Sequence, residues 1–294
     1  MTLLDGMPPT SYPDQFRDYL VQLGYRKTSV QMLPGCVNSF LAYHPQTDLP
    51  MITSSHIHQF YDWLQVRPNQ RKAGGLSETY ISHHVYALRV FFNWLEMSGQ
   101  IQTNPISVLQ FKRPKANTRQ PLSQGEIAQL FAAASTLQEM ALLHLFYSCG
   151  LRRSEGAALN LRDVHFGAQL LYVRAGKGAK RRVVPMTPKV SQALESYYLQ
   201  ERVNQEQVQD TEAFMLNRIG KRLDGDGHNR LLKTILARTA ISQGITLHHL
   251  RHSIATHLLA SGLPIEKVRD FLGHRHLEST QLYAKVHPNQ LTKL

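Results

Sequence analysis

Apolar residues recur at helical spacing through the first third of the chain and predict a set of four helices. The strongest stripe follows Ser77, ends at Gly99, and has its apolar positions three or four residues apart, at Ile81, Val85, Leu88, Phe92 and Leu95. Residues 16–23 and 57–64 carry shorter stripes, the second after a cap at Ser54 or Ser55. A fourth helix is predicted over residues 27–44, where Pro34 should kink or start it. Together these helices predict a bundle that ends near residue 111.

The pattern after residue 121 predicts a second, mainly helical region. Ser123 and Glu126 form a capping-box signature ahead of an apolar run, and residues 140–147 predict a helix that ends by Gly150. Further helices are predicted at 189–203, 228–240, 248–260, 264–272 and 278–286.

One β-hairpin interrupts this helical pattern. Residues 170–174 and 182–186 read as two strands around Gly176-Lys177-Gly178. The predicted fold class is therefore mainly α, with a helical N-terminal domain and an α-rich second domain that contains a small β-sheet.

A basic segment separates the two regions and predicts an interdomain linker over residues 112–121. It carries two prolines, no acidic residue and four cations, namely Lys112, Arg113, Lys115 and Arg119. We therefore expect domains at 1–111 and 122–294. Such a linker is either simply solvated or lies along a phosphate backbone, and the sequence leaves both interpretations open.

The charge balance favours a polyanionic partner. The 294-residue chain has 33 Lys and Arg against 21 Asp and Glu, a net charge of +12. Basic proteins bind nucleic acid by releasing counterions from the phosphates, although a merely basic soluble protein has the same balance. Two distant cysteines, Cys36 and Cys149, predict no disulfide framework, and no signal peptide or membrane-length apolar run is evident. We expect a soluble protein of the reducing cytoplasm.

One predicted helix collects polar groups on a single face. His248, Arg251 and His252 are spaced i, i+3 and i+4, so they lie on the same side. An apolar stripe beside them would hold this face rigid, as a catalytic constellation requires. The alternatives are a surface helix with ordinary histidines, or a metal site that lacks an evident carboxylate ligand.

Two further cations suit a phosphate. Arg152 precedes Glu155 by three residues, which fits an ordinary surface ion pair or a guanidinium oriented to hold two phosphate oxygens. Lys177 at the hairpin tip is either a solvated turn residue or a flexible proton donor. The same hairpin supplies candidates for DNA-backbone contacts at Arg174, Lys180, Arg181 and Arg182.

The C-terminal part adds a nucleophile. Tyr283 lies on a predicted helix and, with an ordinary pKa of about 10, attacks only if cations or a base assist it. His274 follows Gly273, which should end the preceding helix. The segment from Asp224 to Gly227 resembles the start of a calcium loop but lacks the required glutamate, so we expect a turn there and no metal.

Five boxes occur in the order found in one enzyme family. They are Gly-Leu-Arg-x-Ser-Glu at 150–155, Gly-Lys-Gly at 176–178, His-x-x-Arg-His at 248–252, Leu-Gly-His at 272–274, and Tyr283. Residues 122–286 therefore resemble the tyrosine recombinases, the phage integrase family, most closely its Xer-like bacterial members. The resemblance implies the tyrosine recombinase catalytic fold preceded by a helical core-binding domain.

The resemblance implies a role for each matching residue. These roles are phosphate binding by Arg152 and Arg251, proton donation by Lys177, proton shuttling by His248, a phosphate hydrogen bond from His274, and attack by Tyr283 to form a 3′-phosphotyrosine. Glu155 and His252 would support the site. Arg153 falls where the family pattern varies, so it is the ambiguous neighbour of Arg152.

The implied activity is site-specific recombination of double-stranded DNA without ATP, metal or other cofactor. Family resemblance implies a homotetramer acting through a Holliday junction, in the cytoplasm and associated with the nucleoid. Integration, excision, inversion and dimer resolution stay open, as does the need for a second recombinase. The alternatives are a type IB topoisomerase-like enzyme that relaxes DNA, and a DNA-binding protein without catalysis.

Overall fold

The computed structural model describes residues 11–70, 73–112, 114, 120–174, 181–205, 209–210 and 212–273. The chain divides into two compact units, Met1–Asn117 and Thr118–Leu294, called the first and second units below. Each has its own hydrophobic core. The mainly helical fold class is confirmed, whereas the domain boundaries stay a prediction.

The first unit contains four helices around an aromatic core. They are α1 (Tyr12–Gln22), α2 (Lys27–Tyr43), α3 (Ser54–Val66) and α4 (Glu78–Met97), with a 3₁₀ turn at Leu49–Met51. Ser77 caps α4 by accepting the amide of Tyr80, as the periodicity predicts. The core contains Phe16, Phe40, Phe60, Phe91 and Phe92, each at most 1% exposed.

Two local details of this unit differ from the sequence prediction. Of the two alternatives for Pro34, a kink or a helix start, the start is wrong: α2 runs through Pro34, which is buried with Leu33 and Val37. That burial offsets the amide hydrogen bond that a proline cannot make. The cap of α3 is Thr53 rather than Ser54 or Ser55, with His56 completing a capping box.

The start of the predicted linker lies against α4. The Nζ of Lys112 is 3.4 Å from Oε1 of Glu78, an ion pair whose two side chains are exposed. Next to it, Arg89 donates to the carbonyl of Leu109 and Phe111 packs on Tyr61. Lys112 is therefore anchored to the first unit.

The second unit is α-rich with one small sheet. Its helices are α5 (Gln124–Ala133), α6 (Leu137–Leu143), α7 (Arg153–Ala157), α8 (Pro188–Ser196), α9 (Gly225–Leu236), α10 (Leu247–Ala260) and α11 (Ile265–Leu272). Helix α5 begins with the predicted Ser123–Glu126 capping box. A π-helical turn, His144–Ser148, extends α6 toward Gly150, and a second one, Tyr197–Arg202, extends α8.

The sheet is antiparallel and has three strands in the order β1 (Val164–His165), β2 (Leu170–Val173) and β3 (Arg182–Pro185). Strands β2 and β3 are the predicted hairpin, and Leu171 pairs with Val184. The sequence missed β1 because two residues are too few to show an alternating pattern.

The Asp224–Gly227 segment begins α9 instead of forming a separate turn. The carboxylate of Asp224 accepts the amide of Gly227 at 2.6 Å, so Asp224 is the N-cap of this helix. The aspartate therefore satisfies a helix terminus, a role that short polar side chains fill well.

Among the described residues, no helix is long and apolar enough to cross a membrane. Cys36 and Cys149 are both buried free thiols, one in each unit.

Candidate active site

A buried carboxylate, Glu155, is the centre of the site. It lies in the short helix α7 with its side chain fully buried, and its Oε1 accepts from Nη1 of Arg152 at 2.6 Å. Arg182 donates to both carboxylate oxygens, at 2.9 and 2.8 Å. Nη1 of Arg251 lies 3.7 Å from Oε2. Three guanidinium groups therefore surround one carboxylate.

The charge balance of this cluster suits an anion. Burial by itself would raise the pKa of Glu155. This effect is outweighed by the hydrogen bonds and charge of Arg182, by the hydrogen bond from the amide of Arg152 and by the charge of Arg251. Together they lower the pKa of Glu155 to about 2. Glu155 is therefore ionised at neutral pH. Three cations facing one anion leave a surplus of two positive charges, which a phosphate can neutralise by accepting paired guanidinium hydrogen bonds.

The same three arginines hold the C-terminal end of α11. Arg182 donates from Nε to the carbonyl of Phe271 at 3.0 Å, and Arg251 donates from Nη2 to that of Leu272 at 2.5 Å. Nη2 of Arg152 donates to the carbonyl of Gly273 at 3.0 Å. The last carbonyls of a helix have no intrahelical partner, so one guanidinium satisfies each of three consecutive residues.

Two glycines allow these approaches. Gly150, at φ +58°, offers its carbonyl to Nη1 of Arg251, and a Cβ there would come within 3.0 Å of Leu272. Gly273 ends α11 in the left-handed conformation, at φ +65°. The Gly-Leu-Arg and Leu-Gly-His boxes therefore meet in space, one on each side of Arg251.

Helix α10 carries Arg251 into this cluster. Leu247 and Leu250 are buried in the core of the unit, and Arg251 itself is only 1% exposed. The hydroxyl of Ser253 accepts the amide of Leu122 and donates to the carbonyl of His249, both at 2.8 Å. The bond from the amide of Leu122 ties the start of the second unit to α10.

The two histidines of the His-x-x-Arg-His box have different environments. His248 is exposed in the first turn of α10, whereas His252 is buried. An exposed imidazole can exchange protons with an incoming substrate, and a buried imidazole cannot do so without rearrangement. The exposure of His248 therefore fits the predicted proton shuttle, and the burial of His252 fits the predicted supporting residue.

The side chain of Arg182 is largely buried, whereas a contact to the DNA backbone requires a position at the surface. The sequence groups it with the DNA-backbone candidates, yet its side chain is 8% exposed and binds Glu155. Strand alternation could have indicated this position. Val184 is buried and Val183 is 45% exposed, so Arg182 shares the inward face with Val184.

The other described cations lie nearer the surface. Arg181 is exposed, and Arg174 is half exposed with its Nε paired to Asp163 and its guanidinium 5.8 Å from the centre of the Tyr172 ring. Arg153 is exposed and pairs with Asp226 at 2.7 Å. The sequence assigned the phosphate-binding role to Arg152 and marked Arg153 as its ambiguous neighbour, and Arg152 is the one that binds Glu155.

Several predicted residues lie outside the described part of the chain. They are Lys177, His274 and Tyr283 of the six catalytic candidates, Arg113, Lys115, Arg119 and Lys180 of the DNA-backbone candidates, and the predicted helix 278–286. Within the part that is described, no group of three or more His, Cys, Asp and Glu could hold a metal ion.

Comparison with known proteins identifies the family. The phage integrase family model matches residues 120–290, which span every box named above. The chain belongs to the phage integrase family. It is a tyrosine recombinase, an enzyme that breaks and rejoins DNA, and the assignment made from the five boxes is confirmed.

Relatives of this recombinase agree with that assignment. Tyrosine recombinase XerC of Chlamydia trachomatis serovar L2 is 36% identical over 216 residues, which cover 71% of this chain and 68% of that protein. Tyrosine recombinase XerC of Oceanobacillus iheyensis is 35% identical over 225 residues, covering 74% and 73%.

Solved structures have the same fold. The XerA recombinase is 27% identical with a TM-score of 0.53, and the match covers 95% of this chain and 94% of that one. A lambda integrase dimer bound to a COC′ core site is 16% identical with a TM-score of 0.74, covering 96% and 97%. At that identity the second match shows the fold alone.

Proposed function

We propose that this recombinase cleaves DNA at specific sites through a 3′-phosphotyrosine formed by Tyr283. Arg152 and Arg251 hold the non-bridging oxygens of the scissile phosphate. The phenolic oxygen of Tyr283 forms the new bond to phosphorus while the bond to the 5′ oxygen breaks. The tyrosine proton passes through His248, and Lys177 protonates the departing oxygen.

The observation that carries this proposal is the joint attachment of Arg152 and Arg251. Both contact Glu155, and both donate to carbonyls at the end of α11, at Gly273 and Leu272. His274 is the next residue along the chain, so we infer that it approaches the same phosphate. Cations held in place in this way stabilise the charge that develops on a phosphate in the transition state.

The chemistry needs positioning more than an energy source. Because the ester energy is conserved in the phosphotyrosine, we propose that rejoining requires neither ATP nor a metal. The net charge of +12 supports binding to double-stranded DNA. We further propose a homotetramer on two DNA sites, exchanging one strand pair at a time through a Holliday junction, in the cytoplasm and associated with the nucleoid.

A suicide DNA duplex with a nick next to the cleavage position tests the nucleophile. The cleaved fragment diffuses away, so the covalent adduct accumulates and is measured by denaturing gel electrophoresis. We expect an adduct with the wild type and none with Tyr283→Phe, because the substitution removes the attacking oxygen.

Tyr198→Phe is the matched control, since it removes the hydroxyl of a tyrosine that stacks on Phe166 elsewhere in the second unit. It should form the adduct at the wild-type rate. An adduct that survives Tyr283→Phe would assign the nucleophile to another residue. Relaxation of supercoiled DNA without exchange between two sites would instead favour the topoisomerase-like alternative.

A further inference from the structure

Arg182 makes more contacts to the cluster than its place on a basic hairpin predicts. Three of its N–H groups are engaged, two with the carboxylate of Glu155 and one with the carbonyl of Phe271. It therefore joins three elements, namely strand β3, helix α7 and the end of α11. Lys177 lies five residues before it along the chain.

We propose that Arg182 is a positioning residue of the recombinase, which orients Glu155 and the end of α11 and thereby fixes Arg152 and Arg251 for the phosphate. This inference rests on the proposed function, because it concerns how the same phosphate site is held. On this proposal Arg182 acts through Glu155 and the end of α11 rather than by contact with DNA or the reacting atoms.

Arg182 fixes the orientation of the Glu155 carboxylate. The carboxylate has only two oxygens, and Arg182 binds both from one planar guanidinium. This paired contact fixes the rotation of the carboxylate, which in turn sets the direction from which Oε1 accepts Arg152. A single-donor partner such as lysine cannot fix this rotation.

Glu155 also balances the charges of two buried arginine side chains. Arg182 is 8% exposed and Arg251 is 1% exposed, so both are cations removed from water. Neighbouring buried cations repel each other unless a shared anion lies between them. Glu155 fills that position, and its Oε2 also accepts the main-chain amide of Arg152.

The side chain of Arg182 lies in close contact with Gly273. A Cβ at position 273 would lie 2.9 Å from Cδ of Arg182 and 3.2 Å from its Nη1. The glycine of the Leu-Gly-His box therefore leaves room for the Arg182 side chain as well as ending α11. A side chain at 273 would displace the arginine that holds Glu155.

The test measures DNA affinity and the cleavage step separately for Arg182→Gln. We expect the dissociation constant and its salt dependence to match those of the wild type, because Arg182 neutralises no phosphate. Adduct formation at saturating suicide substrate should slow by about a hundredfold, the scale of misplacing a catalytic group by about 1 Å. Arg182→Lys keeps the charge and should still lose about tenfold, because the paired contact is gone.

Arg238→Gln is a matched control in the same unit. Arg238 also binds a buried glutamate through both Nη atoms, at 2.7 and 3.0 Å from Glu139. This pair joins α6 to the second residue after α9 and lacks any role in the proposed chemistry. We expect Arg238→Gln to lower the melting temperature by an amount similar to Arg182→Gln and to leave the cleavage rate unchanged.

A double-mutant cycle with Glu155→Gln tests whether Arg182 acts through that carboxylate. The two losses in cleavage rate should not multiply, because removing either partner breaks the same contact. Wild-type cleavage by Arg182→Lys would overturn the proposal, as would a weaker dissociation constant with a smaller salt slope, which would make Arg182 a backbone contact. Absence of an adduct with the wild type would instead overturn the proposed function.

Discussion

The two units bury different kinds of side chain. In the described residues of the first unit, the core is aromatic and aliphatic, and the buried polar side chains are His84 and Asn104. The second unit also has an aliphatic and aromatic core, but it buries carboxylates, arginines and histidines as well, including Glu155 and Arg251. A buried charge costs free energy unless a partner compensates it, so this difference requires a reason.

The reason lies in what each unit must hold fixed. Phe16 packs edge-on against Phe91, with ring centres 5.3 Å apart, and such packing specifies a shape. The Glu155 cluster specifies the direction of hydrogen-bond donors, which apolar packing alone cannot do. The second unit thus places part of its stability in the charges that would bind a phosphate.

The largest effect should come from removing the shared anion. Glu155→Gln leaves three arginines without a compensating charge, so we expect the free energy of unfolding of the second unit to fall by about 3–5 kcal/mol. Cleavage of the suicide substrate should fall by at least about a hundredfold, since both phosphate-binding arginines lose their support. Urea unfolding and adduct formation measure these two effects.

The control for that prediction is Glu78→Gln in the first unit, where the partner Lys112 is exposed. An exposed pair contributes about 0–1 kcal/mol, so this change should be close to neutral. An equal loss of unfolding free energy for Glu155→Gln and Glu78→Gln would contradict the proposed difference between the units.

A pair of glycines compares the units at an intermediate scale. Gly24 and Gly273 both follow a helix with positive φ, at +70° and +65°, but a Cβ meets nothing within 4 Å at Gly24. Alanine should cost about 1–2 kcal/mol at either site for the left-handed backbone. Only Gly273→Ala should also slow cleavage, by about tenfold, because it pushes on Arg182. Unchanged cleavage by Gly273→Ala would contradict this coupling.

A further comparison between the units concerns pH. Burial lowers the pKa of His84 in the first unit and of His144 and His228 in the second, each to about 4 from 6.5. The unfolded chain then binds protons that the folded chain does not, so stability is complete above pH 6.5 and is lost as pH falls toward 4. Hydrogen exchange between pH 7 and 4.5 should show this loss in both units.

His84→Leu provides the check for the first unit. It should abolish the acid-dependent loss there, because an apolar side chain has no proton to bind, and leave that of the second unit unchanged. Parallel loss in the variant and the wild type would assign the acid sensitivity of the first unit to other groups.

Much of this architecture could be predicted from the sequence because long helices show their period. The stripe after Ser77 and the Ser123–Glu126 box gave the starts of α4 and α5, since both depend on contacts within one turn. Short elements escaped prediction. Strand β1 has two residues, and α7 has five, too few for either to show a repeat.

The site was predicted by residue type but not by environment. The motifs indicated Arg152, Glu155 and Arg251, which do meet in the fold. They could not show that Arg182 lies inward, because a count of basic residues does not separate the two faces of a strand. Backbone carbonyls were also invisible to the sequence, since every residue has one.

The three carbonyls at the end of α11 have a consequence for how this chain can change over time. Because the acceptors are main-chain atoms, the hydrogen bonds that the guanidinium groups donate do not depend on which side chains occupy positions 271 and 272. The number of residues in α11 has no such freedom. One inserted or deleted residue turns the helix end by about 100° and shifts it by about 1.5 Å, so that every acceptor would face the wrong donor.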